Sequence, residues 1–144
     1  MMDKRMSRLD LALESIPTIQ QAVSFEVHDY TIISWGSTKG PILDAQAMLK
    51  KEGINIGFVQ IKLLHPFPTE YVASLLKDAK VLIDIEANYS GQFGKIFKQN
   101  ITREIDYHIL KYTGRGMTST EIYDSLKKIV ENKAEKREIL SHGA

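Results

Sequence analysis

The chain contains no cysteine among its 144 residues, and this absence excludes several kinds of chemistry. Without thiolates there is no disulfide, no zinc ribbon and no cysteine-ligated iron–sulfur cluster. The four histidines are far apart in sequence and show no metal-ligand spacing; they are His28, His65, His108 and His142. We therefore expect no metal site. If the protein takes part in redox chemistry, the electrons must pass through other polypeptides.

A strong net charge and long apolar runs are missing as well. The formal net charge is +1, so no electrostatic field recruits nucleic acid or an anionic membrane. No apolar run approaches the roughly 20 residues that a membrane span needs. The first residues, Met1 to Arg5, are charged and lack the apolar core of a secretory signal, so we expect a cytoplasmic protein. The content of 43% hydrophobic and 26% charged residues is typical of one globular domain.

Apolar segments alternate with segments of helical periodicity along the chain. This alternation predicts a three-layer α/β/α sandwich around a mostly parallel sheet. We assign residues 23–132 to this domain, residues 1–22 to a linker or short helix, and residues 133–144 to a charged C-terminal tail. The five predicted strands lie near residues 23–27, 30–35, 54–63, 81–86 and 105–110.

Several residues are typical of helix ends. Thr118 and Glu121 have the spacing of a capping box, which predicts that the last helix begins there. Gly53 is expected to end an earlier helix in the left-handed conformation, and Pro41 to be the first residue of that helix. Thr69 is the expected N-cap of the helix that follows His65-Pro66-Phe67-Pro68.

The first glycine turn, Gly36-Ser37-Thr38-Lys39-Gly40, joins a buried strand to a helix. Such a turn offers backbone N–H groups to an anion, but this one has neither the Walker A spacing nor the dinucleotide-binding spacing. Two interpretations stay open. The glycines allow a tight turn and nothing more, or Ser37, Thr38 and Lys39 bind an anion or a carboxylate of a partner.

The second turn, from Glu86 to Gln92, follows another apolar strand. Glu86 either accepts hydrogen bonds from the amides of its own loop or from the N–H groups of a neighbouring domain. Asp84 lies on the same side of the strand and deeper, which leaves a weak case for a pair of catalytic carboxylates. No serine has the setting of a nucleophile elbow and no His–Asp pair is evident. The residues therefore indicate a binding or assembly domain without a complete active site.

Four segments taken together resemble the C-terminal domain of the α chain of 2-oxoacid:ferredoxin oxidoreductases, and the resemblance runs from about Asp29 to Val130. That domain is similar to the C-terminal domain of transketolase-type enzymes. The resemblance implies a five-strand sheet of order 1-3-2-4-5 with the first strand antiparallel. The Tyr-Pro-Ile-Thr-Pro segment of the family's earlier thiamine-enzyme domain does not occur here. The four segments are residues 35–40, 64–68, 85–92 and 111–118.

The resemblance also implies a function. The family carries out the CoA-dependent oxidative decarboxylation of a 2-oxoacid with ferredoxin as electron acceptor, using thiamine diphosphate, magnesium and iron–sulfur clusters. We expect these cofactors elsewhere in the complex, and no catalytic or cofactor-binding residue in this chain. The expected partners are the rest of the α chain, the thiamine-binding β subunit and, through the whole complex, ferredoxin. The expected role is assembly and positioning.

The implied strand order places the switch point of the sheet between the second and fourth strands. The two glycine turns should then lie side by side and form a groove or subunit contact. A free-standing module that binds a small phosphorylated ligand in this groove is the alternative function. The equivalent domain of a transketolase or of a 2-oxoacid dehydrogenase β chain is the alternative within thiamine enzymes. The candidate contact residues are Gly36, Ser37, Thr38, Lys39, Glu86, Asn88, Gly91 and Gln92.

Overall fold

A computed structural model describes residues 14–35, 38–87, 91–111 and 116–140. Strands and helices alternate along these residues, as the sequence predicts. The strands are β1 (Ala22–Phe25), β2 (Tyr30–Trp35), β3 (Gly57–Ile61), β4 (Val81–Glu86), β5 (Tyr107–Lys111) and β6 (Arg137–Leu140). The helices are α1 (Thr18–Gln21), α2 (Lys39–Lys51), α3 (Thr69–Leu75), α4 (Gln92–Asn100) and α5 (Ser119–Val130). None of the helices within these ranges is long and apolar enough to cross a membrane.

The strands form a single mixed sheet of order β1-β3-β2-β4-β5-β6. β1 runs antiparallel to β3, and every other neighbouring pair is parallel. The predicted order of the first five strands and the antiparallel first strand are therefore confirmed. The order places β2 and β4 side by side at the centre of the sheet, with Ser34 opposite Ile85.

The sheet has six strands where five were predicted, because part of the segment assigned to a charged tail forms β6. This strand pairs in parallel with β5, so that Leu110 lies opposite Ile139. Leu140 is only 6% exposed and joins the core. Charged residues around a short apolar pair hid the strand in the sequence, whereas the open hydrogen-bonding edge of β5 stabilises it in the fold.

Two apolar layers, one on each face of the sheet, confirm the three-layer sandwich. α2 and α5 cover one face, and α3 and α4 cover the other. On the first face the core includes Ile32, Phe58, Ile83, Ile109, Leu49, Ile122 and Leu126. On the second face it includes Ile33, Val59, Leu82, Val72, Leu76, Phe93 and Phe97.

The helix ends agree with the sequence in two cases and differ in two. The capping box is present, since the Thr118 side chain accepts from the Glu121 backbone N–H and the Glu121 side chain accepts from the Thr118 backbone. Gly53 has the expected positive φ, 80°. However, α2 begins at Lys39, two residues before Pro41, and α3 begins at Thr69 with Pro68 as its N-cap. Pro41 still lies in the first helical turn, where no backbone N–H has a partner within the helix.

Candidate functional site

The carboxyl ends of β2 and β4 meet at one edge of the sheet, which we call the carboxyl edge. The two strands are neighbours and pair in parallel, so their last residues lie side by side. The Ser34 hydroxyl donates to the Ile85 carbonyl over 2.9 Å and lies 2.6 Å from the Thr38 hydroxyl. Hydrogen bonds therefore tie the beginning of α2 to the end of β4. This is the switch point of the sheet, where open α/β folds place their ligands and partners.

The predicted contact residues of the first turn differ in their exposure and in their direction. Thr38 is buried and hydrogen-bonded to Ser34 as described. Lys39 is exposed, but its ammonium lies 5.1 Å from the centre of the Phe25 ring. Because Phe25 is on β1, the far side of β2 from β4, Lys39 is not brought towards Glu86. Gly36 and Ser37 lie outside the described residues.

The second turn is described from Gly91 onward, and Asn88 lies outside the described residues. Gly91 is the N-cap of α4 and has a left-handed backbone, with φ 67°. Gln92, the first residue of α4, is exposed at the carboxyl edge. Gln92 is thus accessible at this edge, and Gly91 turns the chain into α4.

Glu86 is buried and anchors the beginning of α4. One carboxylate oxygen accepts from the Phe93 backbone N–H at 2.6 Å, and the other accepts from the Gly94 N–H at 3.0 Å. These N–H groups are in the first helical turn, where a negative charge also interacts favourably with the helix dipole. Of the two interpretations of Glu86, the structure favours the internal one, with the helix supplying the amides instead of the loop.

Asp84 and His108 form a pair, and the expectation that the chain holds no His–Asp pair is therefore wrong. The Nδ1 atom of His108 lies 2.9 Å from the Oδ2 atom of Asp84. Asp84 is fully buried, and the His108 side chain is 23% exposed. The two residues are 24 positions apart and meet only because β4 and β5 pair with Asp84 opposite His108. Placing the two strands side by side with the correct register would have revealed the pair, but the sequence does not fix that register.

Gly94 lies directly over this pair. A Cβ atom at this position would lie 2.9 Å from Oδ2 of Asp84, 3.1 Å from Cε1 of His108 and 3.4 Å from Oε2 of Glu86. The glycine therefore allows α4 to pack closely on the three polar side chains. One carboxylate oxygen from each acid and one imidazole nitrogen lie within 4.8 Å of one another. Such a group can bind a metal ion or exchange a proton.

A buried lysine, which the sequence analysis did not single out, lies at the end of β5. The Lys111 ammonium donates to Oε1 of Glu121 at 2.7 Å and to the Gly116 carbonyl at 3.2 Å. Burial acts to raise the pKa of Glu121, but the hydrogen bonds from Lys111 and Thr118 outweigh it and hold that pKa below its ordinary value. The ion pair connects β5 to the first turn of α5. The lysine at the end of an apolar strand is the sequence feature that could have indicated this ion pair.

The His65-Pro66-Phe67-Pro68 segment borders a cavity of about 1130 Å³ beyond the carboxyl end of β3. The peptide bond between His65 and Pro66 is cis. His65 is exposed, whereas Phe67 packs in the core against Phe97. The segment therefore shapes the end of the sheet, and among the described residues no acid is paired with His65.

Curated relatives match the whole chain. The 2-oxoacid:ferredoxin oxidoreductase subunit alpha of Saccharolobus solfataricus is 38% identical over 146 residues, which are 100% of this chain and 23% of that protein. The 2-oxoacid:ferredoxin oxidoreductase 2, subunit alpha, of Aeropyrum pernix is 35% identical with the same coverage. The chain thus spans about a quarter of the length of these relatives.

Solved structures share the fold. The 2-oxoglutarate:ferredoxin oxidoreductase from Magnetococcus marinus, with 2-oxoglutarate, coenzyme A and succinyl-CoA bound, superposes with a TM-score of 0.73 and 26% identity. That match covers 87% of this chain and 22% of the other. The alpha chain of a probable 2-oxoacid ferredoxin oxidoreductase from Thermoplasma acidophilum is 43% identical with a TM-score of 0.53, covering 78% of this chain and 98% of that one. A split-gene transketolase, at 17% identity and a TM-score of 0.57, shares the fold alone.

The family model described as pyruvate:ferredoxin oxidoreductase core domain II matches residues 28–124, which is more than half of the chain. This range agrees with the resemblance predicted from the four sequence segments. It contains β2 to β5 and both turns of the carboxyl edge. The chain therefore belongs to the pyruvate:ferredoxin oxidoreductase core domain II family.

Proposed function

We propose that this chain is the assembly and positioning domain of a 2-oxoacid:ferredoxin oxidoreductase α subunit. The complete complex would carry out the CoA-dependent oxidative decarboxylation of a 2-oxoacid and reduce ferredoxin. The observation that carries the proposal is the match to α subunits over all of this chain but only 23% of their length. A quarter of an α subunit with this fold is one domain of a larger assembly.

The polar groups at the carboxyl edge support a structural role. Ser34 bonds to Ile85 and Thr38, Glu86 bonds to the first turn of α4, and Lys111 bonds to Glu121. These bonds fix the shape of the edge, because they join strand ends to helix starts. A rigid edge of this kind is suited to docking against another domain, since little ordering is left to oppose association.

Trp35 provides the apolar part of the proposed contact. It ends β2, immediately before the first turn, and is 47% exposed. Exposed tryptophan is rare on a free surface and frequent at the centre of protein interfaces. We place Trp35 and Gln92 in the contact with the rest of the α chain or with the β subunit, together with Gly36, Ser37, Lys39 and Asn88. The buried residues Thr38, Glu86 and Gly91 support this contact from beneath.

The cofactors of the complex belong, in this proposal, to other domains and subunits. The thiolates that usually hold an iron–sulfur cluster are missing from the chain, which has no cysteine. Thiamine diphosphate and its magnesium are assigned to the preceding α-chain domain and the β subunit. What this chain contributes is the placement of those parts relative to one another. The matching relatives favour this role over that of a free-standing module for a phosphorylated ligand.

The decisive experiment isolates the polypeptide from its native cells under mild conditions and identifies by mass spectrometry what accompanies it. The proposal predicts either a longer chain that contains this sequence or partners that carry thiamine diphosphate and iron–sulfur clusters. Recovery of a lone 16.3 kDa polypeptide would contradict it.

A variant pair locates the contact. Trp35→Ser in a tagged chain should abolish recovery of the partners. Ile139→Ser removes another exposed apolar side chain, 44% exposed and on the edge strand β6, which β4 and β5 separate from β2, and should leave recovery unchanged. Equal recovery with both variants would remove Trp35 from the contact.

A further inference from the structure

The group formed by Asp84, Glu86 and His108 lies between the sheet and α4. Asp84 and Glu86 are two residues apart on β4 and so face the same side of the sheet, while His108 reaches them from β5. Glu86 uses its oxygens for backbone N–H groups, but each carboxylate oxygen has two lone pairs and can accept a second partner. All three side chains therefore converge with donor atoms of the kind that metals bind.

The distances in this group suit a small cation. Zinc binds carboxylate oxygen and imidazole nitrogen at about 2.0–2.2 Å, so two of its ligands are separated by roughly 3.3 Å in a tetrahedral site. The Asp84 and His108 donor atoms are 2.9 Å apart, and the whole set spans no more than 4.8 Å. Small side-chain rotations would complete the arrangement, with the ion in the place of the proton that Asp84 and His108 share.

The charge of the group also favours a cation. With a neutral imidazole, the three side chains carry two negative charges, which one divalent cation balances. Asp84 and Glu86 are both buried, and a buried carboxylate is stabilised by a cationic or hydrogen-bonding partner or by a bound metal. Gly94 lies against the group without a side chain, so that α4 packs close to Asp84 and His108.

We propose that Asp84, Glu86 and His108 form a binding site for one divalent transition-metal ion of the zinc type. A mixed set of imidazole and carboxylates favours such ions over magnesium, which prefers oxygen ligands alone and retains several waters. The ion would join β4, β5 and, through Glu86, the first turn of α4. The site shares Glu86 with the proposed subunit contact, but binding of the ion is measured on this chain alone, so the two proposals can fail independently.

The test is a calorimetric titration of the metal-free, full-length chain with Zn²⁺. We expect saturable binding of one ion per chain. Asp84→Asn and His108→Gln should each weaken Zn²⁺ binding at least about tenfold, since each removes a ligand and changes of this size follow even from loss of groups around the ligands. Equimolar Mg²⁺ should not compete. Competition by Mg²⁺ would overturn the assignment to the zinc class.

His28→Gln is the matched control. His28 also lies beside a carboxylate, with its Nε2 atom 3.2 Å from Oε1 of Glu26, but that pair is on the surface. This variant should bind Zn²⁺ as the unaltered chain does. If His28→Gln loses the binding while His108→Gln keeps it, the ion sits at the surface pair and the proposal is wrong.

A second measurement needs no variant and decides the question even if a substitution prevents folding. In the imidazole region of the proton NMR spectrum of the unaltered chain, Zn²⁺ should shift the resonances of His108. Mn²⁺ should broaden the same resonances, while those of His65 stay sharp. An unchanged His108 signal at saturating Zn²⁺, or the lack of any saturable binding, would overturn the proposal.

Discussion

The Lys111 ammonium lies 2.7 Å from the Glu121 carboxylate, and this ion pair connects the carboxyl end of β5 to the first turn of α5. Lys111 is only 1% exposed. Glu121 is at the same time the third helical residue of the capping box, so one carboxylate oxygen accepts from Lys111 and from Thr118. The end of β5 and the beginning of α5 are thus held together by the side chain of Glu121.

Replacing Lys111 by methionine should lower the free energy of unfolding by about 2–4 kcal/mol. Removal of one partner from a buried pair leaves the other charge without compensation, and the Thr118 hydrogen bonds offset only part of this loss. The measurement is urea unfolding. The double variant Lys111→Met, Glu121→Gln should be more stable than Lys111→Met alone, and a further loss in the double variant would contradict the explanation.

The same pair predicts an acid dependence of stability. Burial acts to raise the pKa of Glu121, but hydrogen bonds from Lys111 and Thr118 hold the pKa below its ordinary value of 4.5. The stabilisation by ionised Glu121 is therefore complete above pH 4.5 and is lost as the pH falls through the lower pKa of the folded state. Thermal unfolding of the unaltered chain and of Glu121→Gln should differ most at neutral pH and converge in acid. A constant difference across this range would show that the charge of Glu121 is irrelevant.

Gly94→Ala should destabilise the chain by about 1–3 kcal/mol, because the added methyl group overpacks the contact between α4 and the polar group. Its Cβ atom would lie 2.9 Å from Asp84. Gly40→Ala is the control, since Gly40 is also in the first turn of a helix and a Cβ there meets nothing within 4 Å. Helix propensity alone would make both substitutions stabilising. Chemical denaturation of the two variants therefore separates the effect of helix propensity from that of overpacking.

Gly91→Val should cost about 2 kcal/mol, because a β-branched residue is strained at the φ of 67° that the beginning of α4 requires. Gly91→Asn should cost clearly less, as asparagine adopts the left-handed region more readily. Denaturation midpoints of the two variants give the comparison. Equal stability of Gly91→Val and the unaltered chain would show that the turn can form with a negative φ.

The sequence predicted the parts of the fold that depend on local pattern. The α5 capping box and the left-handed Gly53 were recognised because each is encoded within a few residues. The strand order came from the family resemblance, which periodicity alone could not have supplied. β6 was missed because a four-residue strand with two charged residues has little pattern of its own, and its stability comes from β5.

The candidate site was less predictable than the fold, because its contacts join residues that are far apart in sequence. The Asp84–His108 and Lys111–Glu121 contacts depend on strand register and on how a helix packs over the sheet. The two glycine turns were found because glycine marks strand ends locally. That Glu86 binds backbone amides of its own chain was among the expected alternatives, but the amides are those of the first turn of α4 and not of the loop.

The antiparallel direction of β1 has a topological consequence. Ala22, the first residue of β1, lies opposite Ile61 at the carboxyl edge, and the parallel strand β6 brings Leu140 to that same edge. The polypeptide therefore enters and leaves the sheet at the edge where β2 and β4 end. Any sequence joined covalently before Ala22 or after Leu140 therefore starts from the same edge of the sheet as the carboxyl ends of β2 and β4. A dye or affinity label attached near Gly53, at the opposite edge of the sheet, would not cover the carboxyl edge.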